Sequence, residues 1–383
     1  MKRPASVVRK TRNRSTKINV ALVVKRPASI LKKRPSEASC ATSSRRRKNE
    51  SPHNLSQAGH GHADVPALVA DVVAVYPNKP TQRQGLNLAS LSEECVVAAG
   101  RDSHVRMFDM KVGRESLQVR LPRNAHKLVA LPCGTRFFAA YIDGDDGKVD
   151  MFDKKGTCKM ELHHKGWLCD LALHPASNDG FPILIGTTDE PSENPSDHQV
   201  RVFDRSGKEV STVSCGIGDI VGLTWLMTGQ ILIACESAQP LGVGGSQQKH
   251  IRILSEAGEL QQTIECGRTL SCVAALPDGS FAVGLRNKIS VYQASSSSGT
   301  WSTSSCGTVK PWKHASITCI RPITSNRILV TASCEAWVVE LGSDGHLALF
   351  HLSHADFVSD IAVAGEKYVI SSCMDNRLRR FQL

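Results

Sequence analysis

One short segment recurs seven times along the chain. It reads His104-Val-Arg-Met-Phe-Asp109, Lys148-Val-Asp-Met-Phe-Asp153, Gln199-Val-Arg-Val-Phe-Asp204 and His250-Ile-Arg-Ile-Leu-Ser255. Looser copies follow at Lys288-Ile-Ser-Val-Tyr-Gln293, Glu335-Ala-Trp-Val-Val-Glu340 and Arg377-Leu-Arg-Arg-Phe-Gln382. Its large apolar residue falls at 108, 152, 203, 254, 292, 339 and 381, so copies lie 38 to 51 residues apart. That period is the length of one four-stranded unit in a radial repeat, and such a unit covers its apolar faces only by stacking on neighbours.

The residues around each copy supply the other strands. Upstream lies a continuous apolar run, as in Cys95-Val-Val-Ala-Ala, Phe137-Phe-Ala-Ala-Tyr, Ile231-Leu-Ile-Ala and Tyr368-Val-Ile-Ser. A strand without polar alternation is covered on both faces, which is what stacked sheets impose. Before each run comes a shorter strand, for example Leu168 to Leu173 or Ile220 to Trp225. Turn residues separate the two, most clearly Pro277-Asp-Gly279, where Pro fixes φ and Gly takes the positive φ of a tight hairpin. A more polar fourth strand follows each copy but the last, as in Glu115 to Leu121 or Glu259 to Ile264. Strands a, b, c and d thus make one blade, and seven blades predict an all-β propeller over residues 63–383.

These units resemble WD40 repeats, with Phe-Asp three times where that family usually ends strand c in Trp-Asp. The resemblance covers the chain from Ala67 onward and implies a seven-bladed ring used as a binding platform. In that family a His before strand a, a Ser or Thr in strand b, an Asp in the b-to-c turn and the strand-c Trp form a hydrogen-bonded set. The last copy approaches it through His354, Ser371 or Ser372, Asp375 and Phe381, although Phe lacks the indole donor. The last copy ends after its third strand, and Leu68 to Tyr76 has strand character. That segment is expected to supply the missing outer strand and close the ring.

The formal net charge of +11 is unevenly distributed. Residues 1–50 hold sixteen Lys and Arg against two acids, Glu37 and Glu50, whereas the rest is close to neutral. Residues 1–62 have almost no apolar periodicity, so a disordered basic tail is expected there. Any affinity for nucleic acid is assigned to residues 1–50. Lys33-Arg34, ten intervening residues and Arg45-Arg46-Arg47-Lys48 resemble a bipartite nuclear-import signal that an import carrier would hold in two acidic grooves. A solvated polybasic tail is the alternative. An organelle transit peptide fits less well, because Pro4, Pro27 and Pro35 break the helix it would need. Ser6, Ser29 and Ser36 each follow a basic pair, the pattern read by basophilic kinases.

Thirteen cysteines are scattered without any C-x-x-C pair and read as small buried apolar residues in a reducing compartment. No apolar stretch near the start is long enough to span a bilayer. His60-Gly-His62 lacks nearby ligands and reads as linker rather than metal site. The chain has no Gly-rich phosphate loop, G-x-S-x-G elbow or H-E-x-x-H, so neither a cofactor nor catalysis is expected.

Function is expected on loops, which a rigid propeller leaves free to vary. Two b-to-c connections are expanded: Thr187 to His198, carrying Asp189, Glu190, Glu193 and Asp197, and Glu236 to Lys249. The family arrangement places both beside the d-to-a connections bearing Trp167, and Trp312 with His314. An acidic lip next to exposed Trp suits a basic or amphipathic peptide. Ser295 to Ser305 reads as a flexible blade-edge insertion. The sequence therefore points to a nuclear adaptor that holds protein partners, with an RNA- or chromatin-associated factor as the alternative.

Overall fold

The structure is a computed structural model that describes residues 66–68, 70–75, 86–144, 146–175, 181–188, 198–215, 219–236, 248–267, 269–286, 288–308, 317–343, 345–354 and 356–383. The basic tail, with its import-like signal, its three candidate serines and His60-Gly-His62, lies outside these residues. Every described element is a strand or a turn.

The outer strand β1 (Ala70–Val75) comes first in the chain. Blade 1 follows as β2 (Asn87–Ser92), β3 (Cys95–Ala99), β4 (His104–Asp109) and β5 (Arg114–Arg120). Blade 2 is β6 (Ala125–Ala130), β7 (Arg136–Asp143), β8 (Asp146–Asp153) and β9 (Cys158–Lys165), and blade 3 is β10 (Trp167–Leu173), β11 (Ile183–Thr188), β12 (His198–Phe203) and β13 (Glu209–Ser214). Blade 4 is β14 (Ile220–Trp225), β15 (Ile231–Glu236), β16 (Lys249–Leu254) and β17 (Leu260–Gly267), and blade 5 is β18 (Cys272–Ala275), β19 (Phe281–Gly284), β20 (Lys288–Ala294) and β21 (Trp301–Thr308). Blade 6 is β22 (Ile317–Pro322), β23 (Arg327–Ala332), β24 (Glu335–Glu340) and β25 (Leu347–Ser353), and blade 7 opens with β26 (Val358–Ala364), β27 (Tyr368–Cys373) and β28 (Arg377–Gln382). All seven sheets have four strands, and the seventh runs β1-β28-β27-β26. The fold is a seven-bladed β-propeller, closed as its sequence implies.

Closure is antiparallel, from Ala70 opposite Phe381 to Val75 opposite Arg377. Just upstream, the chain also touches the preceding blade. Ala67 forms a parallel bridge with His351 of β25. The Leu68 N–H donates to the His351 carbonyl at 3.0 Å, and the His351 N–H donates to the Pro66 carbonyl at 3.1 Å. The incoming segment therefore ties blade 6 before it completes blade 7.

The core explains why a single blade is not a stable unit. Apolar residues form seven clusters, each shared by two neighbouring blades. Strand β7 shows the rule at residue level. Phe137, Ala139 and Tyr141 pack toward blade 1, whereas Phe138 and Ala140 pack toward blade 3. Period-2 alternation sends successive side chains to opposite faces, and both faces are interior.

Two sequence expectations are corrected. Ser295 to Ser305 is an ordered hairpin: residues 301–308 form β21, paired with β20. Trp301 is buried, 5% exposed, and tilts against Phe281 with ring centroids 5.0 Å apart. Gln262 of β17 grips it from blade 4, donating Nε2 to the Trp301 carbonyl at 2.9 Å while its Oε1 accepts the Trp301 N–H at 2.7 Å. Gln262→Ala strands both backbone groups, so it is expected to cost about 1–3 kcal/mol, read as a shift in urea midpoint at constant m-value. The second correction concerns cysteine. Cys215, Cys235 and Cys373 are buried, but Cys133, Cys158, Cys169 and Cys334 are exposed, and all seven are free thiols.

Candidate functional site

Within each blade the strands are antiparallel, so the b-to-c and d-to-a connections leave from one side of the ring and the a-to-b and c-to-d turns from the other. Trp167 opens β10 on the first side, opposite Thr188. It is 42% exposed. The connection carrying Asp189, Glu190, Glu193 and Asp197 departs from Thr188 and returns at His198, but those four acids lie outside the described residues, as do Trp312 and His314. Of the sequence-predicted binding residues, the structure therefore places Trp167 alone.

It also supplies a partner that sequence reading missed. In five innermost strands a register break precedes one position, occupied by Lys127, Asp170, Gly222, Cys319 and Asp360. Three residues earlier stand Asn124, Trp167, Asp219, Ser316 and Phe357, of which Ser316 is outside the described set. Phe357 is thus the blade 7 counterpart of Trp167, and it is 53% exposed. The two aromatics sit on the same rung of the loop side, in blades 3 and 7. The signal was a large apolar residue in front of Val358, where the strand pattern had already begun.

The register-break position itself holds a pair of matched inter-blade clamps. In blade 3, Asp170 Oδ1 accepts the Leu171 N–H at 2.9 Å and meets Lys127 Nζ of blade 2 at 2.7 Å. Its Oδ2 accepts the Leu223 N–H of blade 4 at 2.9 Å. Asp360 repeats the arrangement in blade 7: Oδ1 takes the Ile361 N–H at 2.9 Å and faces Arg321 of blade 6 at 3.3 Å. Its Oδ2 takes the Leu88 N–H of blade 1 at 2.9 Å. Each carboxylate takes a cation from the blade before and an amide from the blade after. Carboxylates so engaged hold the ring together, and their lone pairs are committed to that task.

Part of the hydrogen-bonded set expected in the last copy is present. His354 donates Nδ1–H to the Leu352 carbonyl at 2.9 Å, which leaves Nε2 to accept the Ser371 hydroxyl at 2.7 Å. Its ring lies tilted over Phe381, centroids 5.5 Å apart. Asp375 turns instead to Arg379, with one contact at 3.1 Å and a shorter second one. Ser372 does other work, donating to the Leu86 carbonyl of blade 1 at 2.9 Å.

Burial lowers the affinity of two histidines for protons, His354 to about 4 and His164 to about 4. Unfolded histidine titrates near ~6.5, so the unfolded chain binds more protons between these values. Stability is therefore whole above about pH 6.5 and falls as pH drops toward about 4, by on the order of 3 kcal/mol for each His. Urea unfolding from pH 7.5 to 4.5 checks the sign. His354→Gln should give a shallower profile, and an identical profile would reject the assignment to His354.

A third histidine sits beside a thiol: His250 Nε2 lies 3.1 Å from Cys235 Sγ, both buried. Burial pushes that thiol up to about 11, so the pair is a neutral core contact and not an activated nucleophile. Among the described residues, no group of three or more His, Cys, Asp or Glu is placed to hold a metal ion. No described helix is long and apolar enough to cross a membrane.

No family model matches the chain, and no curated protein matches it. Among solved structures it is similar to hydrazine synthase of Kuenenia stuttgartiensis, with a TM-score of 0.64 and 10% identity over 80% of this chain and 97% of that one. A likeness at that identity concerns the fold alone.

Proposed function

We propose that the chain is a divergent WD40-type scaffold, non-catalytic and nuclear, that holds protein or peptide partners on its b-to-c and d-to-a loop side. The observation that carries this reading is the pair Trp167 and Phe357, exposed on one rung of a ring whose other large rings are mostly buried. Exposed aromatics bury much area at little entropic cost, and they dominate the energetics of protein interfaces. The acids of the sequence between Thr188 and His198 support a partner segment with basic character. The basic clusters at Lys33-Arg34 and Arg45 to Lys48 support nuclear import.

The test is affinity purification of the intact chain beside a Trp167→Ala, Phe357→Ala variant. A second variant, Val112→Ser with Met227→Ser, removes exposed apolar groups from turns on the opposite side. Partners lost from the first and retained by the second fit the proposal, and identical recovery from both would end it. The sixteen basic residues within 1–50 favour a second reading, an RNA- or chromatin-associated factor whose tail meets phosphate. Nucleic-acid binding with a salt dependence unchanged by removing residues 1–50 would count against it.

A further inference from the structure

The basic tail repeats a short unit that the import signal does not account for. Lys2-Arg-Pro-Ala-Ser6 recurs as Lys25-Arg-Pro-Ala-Ser29, and Lys33-Arg-Pro-Ser36 follows one residue shorter. Each serine has a basic residue three positions before it, and Ser6 and Ser29 have an apolar residue directly after, Val7 and Ile30. A cation at that spacing is the charge contact by which basophilic serine kinases select a hydroxyl. Ser15, behind Arg12, shares the spacing but not the unit.

The ring contains the same spacing in a form that a kinase cannot use. Ser255 follows Arg252, Ser271 follows Arg268 and Thr324 follows Arg321, each three positions on. Their hydroxyls are engaged in turns and ladders. Ser255 Oγ accepts the Glu259 N–H at 3.1 Å, Ser271 Oγ donates to the Gly284 carbonyl at 3.0 Å, and Thr324 Oγ1 donates to Asn326 Oδ1 at 2.9 Å. Arg252 and Arg321 lie within β16 and β22, opposite Ile233 and Leu329. A kinase takes its substrate as a short extended segment, so these copies would first have to leave their sheets. The composition of residues 1–62 supports no packed core, which favours the tail copies as substrates.

We propose that Ser29 and Ser36 are phosphorylated by a basophilic kinase and that the phosphates switch off the import contact at Lys33-Arg34; this rests on the nuclear-import reading above. The serine Oγ attacks the γ-phosphorus of a nucleoside triphosphate, an Oγ–P bond forms as the β–γ bridging bond breaks, and a nucleoside diphosphate leaves. The hydroxyl proton passes to a carboxylate base of the kinase. Residues 25–36 hold five Lys and Arg and no acid. Two phosphates of about −1.5 to −2 each reduce the charge of that stretch to about +1 to +2. Ser36 stands two residues after Arg34, within the span an acidic groove would hold, so its phosphate meets like charge besides neutralising its neighbours. Arg45 to Lys48 keep their charge, so one of two contacts is lost rather than all binding.

The test uses the full chain, treated with a basophilic serine kinase and ATP, and purified importin α as the acidic-groove carrier. Peptide mass spectrometry places the phosphates, and fluorescence anisotropy at fixed salt reads the affinity. Modification at Ser29 and Ser36 should weaken the complex at least about tenfold. Ser29→Ala with Ser36→Ala should keep the unmodified affinity after the same treatment, whereas Ser6→Ala with Ser15→Ala should weaken as the unaltered chain does. No phosphate at Ser29 and Ser36, or a modified chain that binds as tightly as the unmodified one, would overturn the proposal and leave the import reading standing. An unmodified chain that does not bind importin α would remove the import reading, and the switch with it.

Discussion

Asp360→Ala is expected to destabilise the ring by about 3–5 kcal/mol, because it leaves Arg321 without its carboxylate and the Leu88 and Ile361 N–H groups without an acceptor. The carboxylate lies at 13% side-chain exposure, so water offers little replacement. Asp360→Asn keeps an acceptor for Leu88 and removes the charge, and it should cost clearly less. Asp170→Ala should behave like Asp360→Ala, since Lys127, Leu171 and Leu223 stand in the same three roles. The two clamps span different sets of blades, 2-3-4 and 6-7-1, so their effects should add in the double variant. Urea midpoints at constant m-value give all four quantities. A cost below about 1 kcal/mol for either alanine would show that the clamps are incidental.

Removal of residues 1–76 is expected to have the largest effect of any change considered. It takes away β1 and the bridge to His351, leaves the edge of β28 without a partner, and uncovers apolar residues of the cluster shared by blades 6 and 7. A ring with one open blade loses the mutual cover on which every sheet depends, so the loss should consume most of the about 5–15 kcal/mol that separates a folded domain from its unfolded chain. The expected readout is a broad, non-cooperative urea transition and association through the exposed edge. A synthetic peptide of residues 66–76, supplied in excess, should restore part of the transition by adding the missing strand in trans.

The number of blades and the order of strands were legible because the chemistry repeats: an apolar run covered on both faces, a turn, and a strand ending in Phe-Asp. The closing strand was legible for a related reason, since Leu68 to Tyr76 has strand character and blade 7 ends its own sequence at a third strand. The clamps were not legible. Asp170 and Asp360 are single acids in apolar strands, and their partners come from residues on the blades either side, up to 272 positions away in the case of Leu88.

Composition misled at Ser295 to Ser305, where serine suggested a loose loop and Gln262, 39 residues upstream, holds Trp301 in place. At the loop side Trp167 was found from sequence as a bulky residue between strands. Phe357 was missed because it stands directly before an apolar strand, where one more apolar residue carries no signal of its own.

Closure of the ring by β1 is the claim on which the clamps and the loop side both depend. The most direct measurement is oxidative cross-linking of an Asp71→Cys, Arg380→Cys variant, two positions that face each other across the β1–β28 pair. Paired positions on antiparallel strands lie within disulfide reach, so mild oxidation of the folded chain should join the peptides around 71 and 380 in high yield, with little exchange into the native thiols. Absence of that linkage, with residue 71 joined at random to other cysteines, would contradict the closed seven-bladed ring.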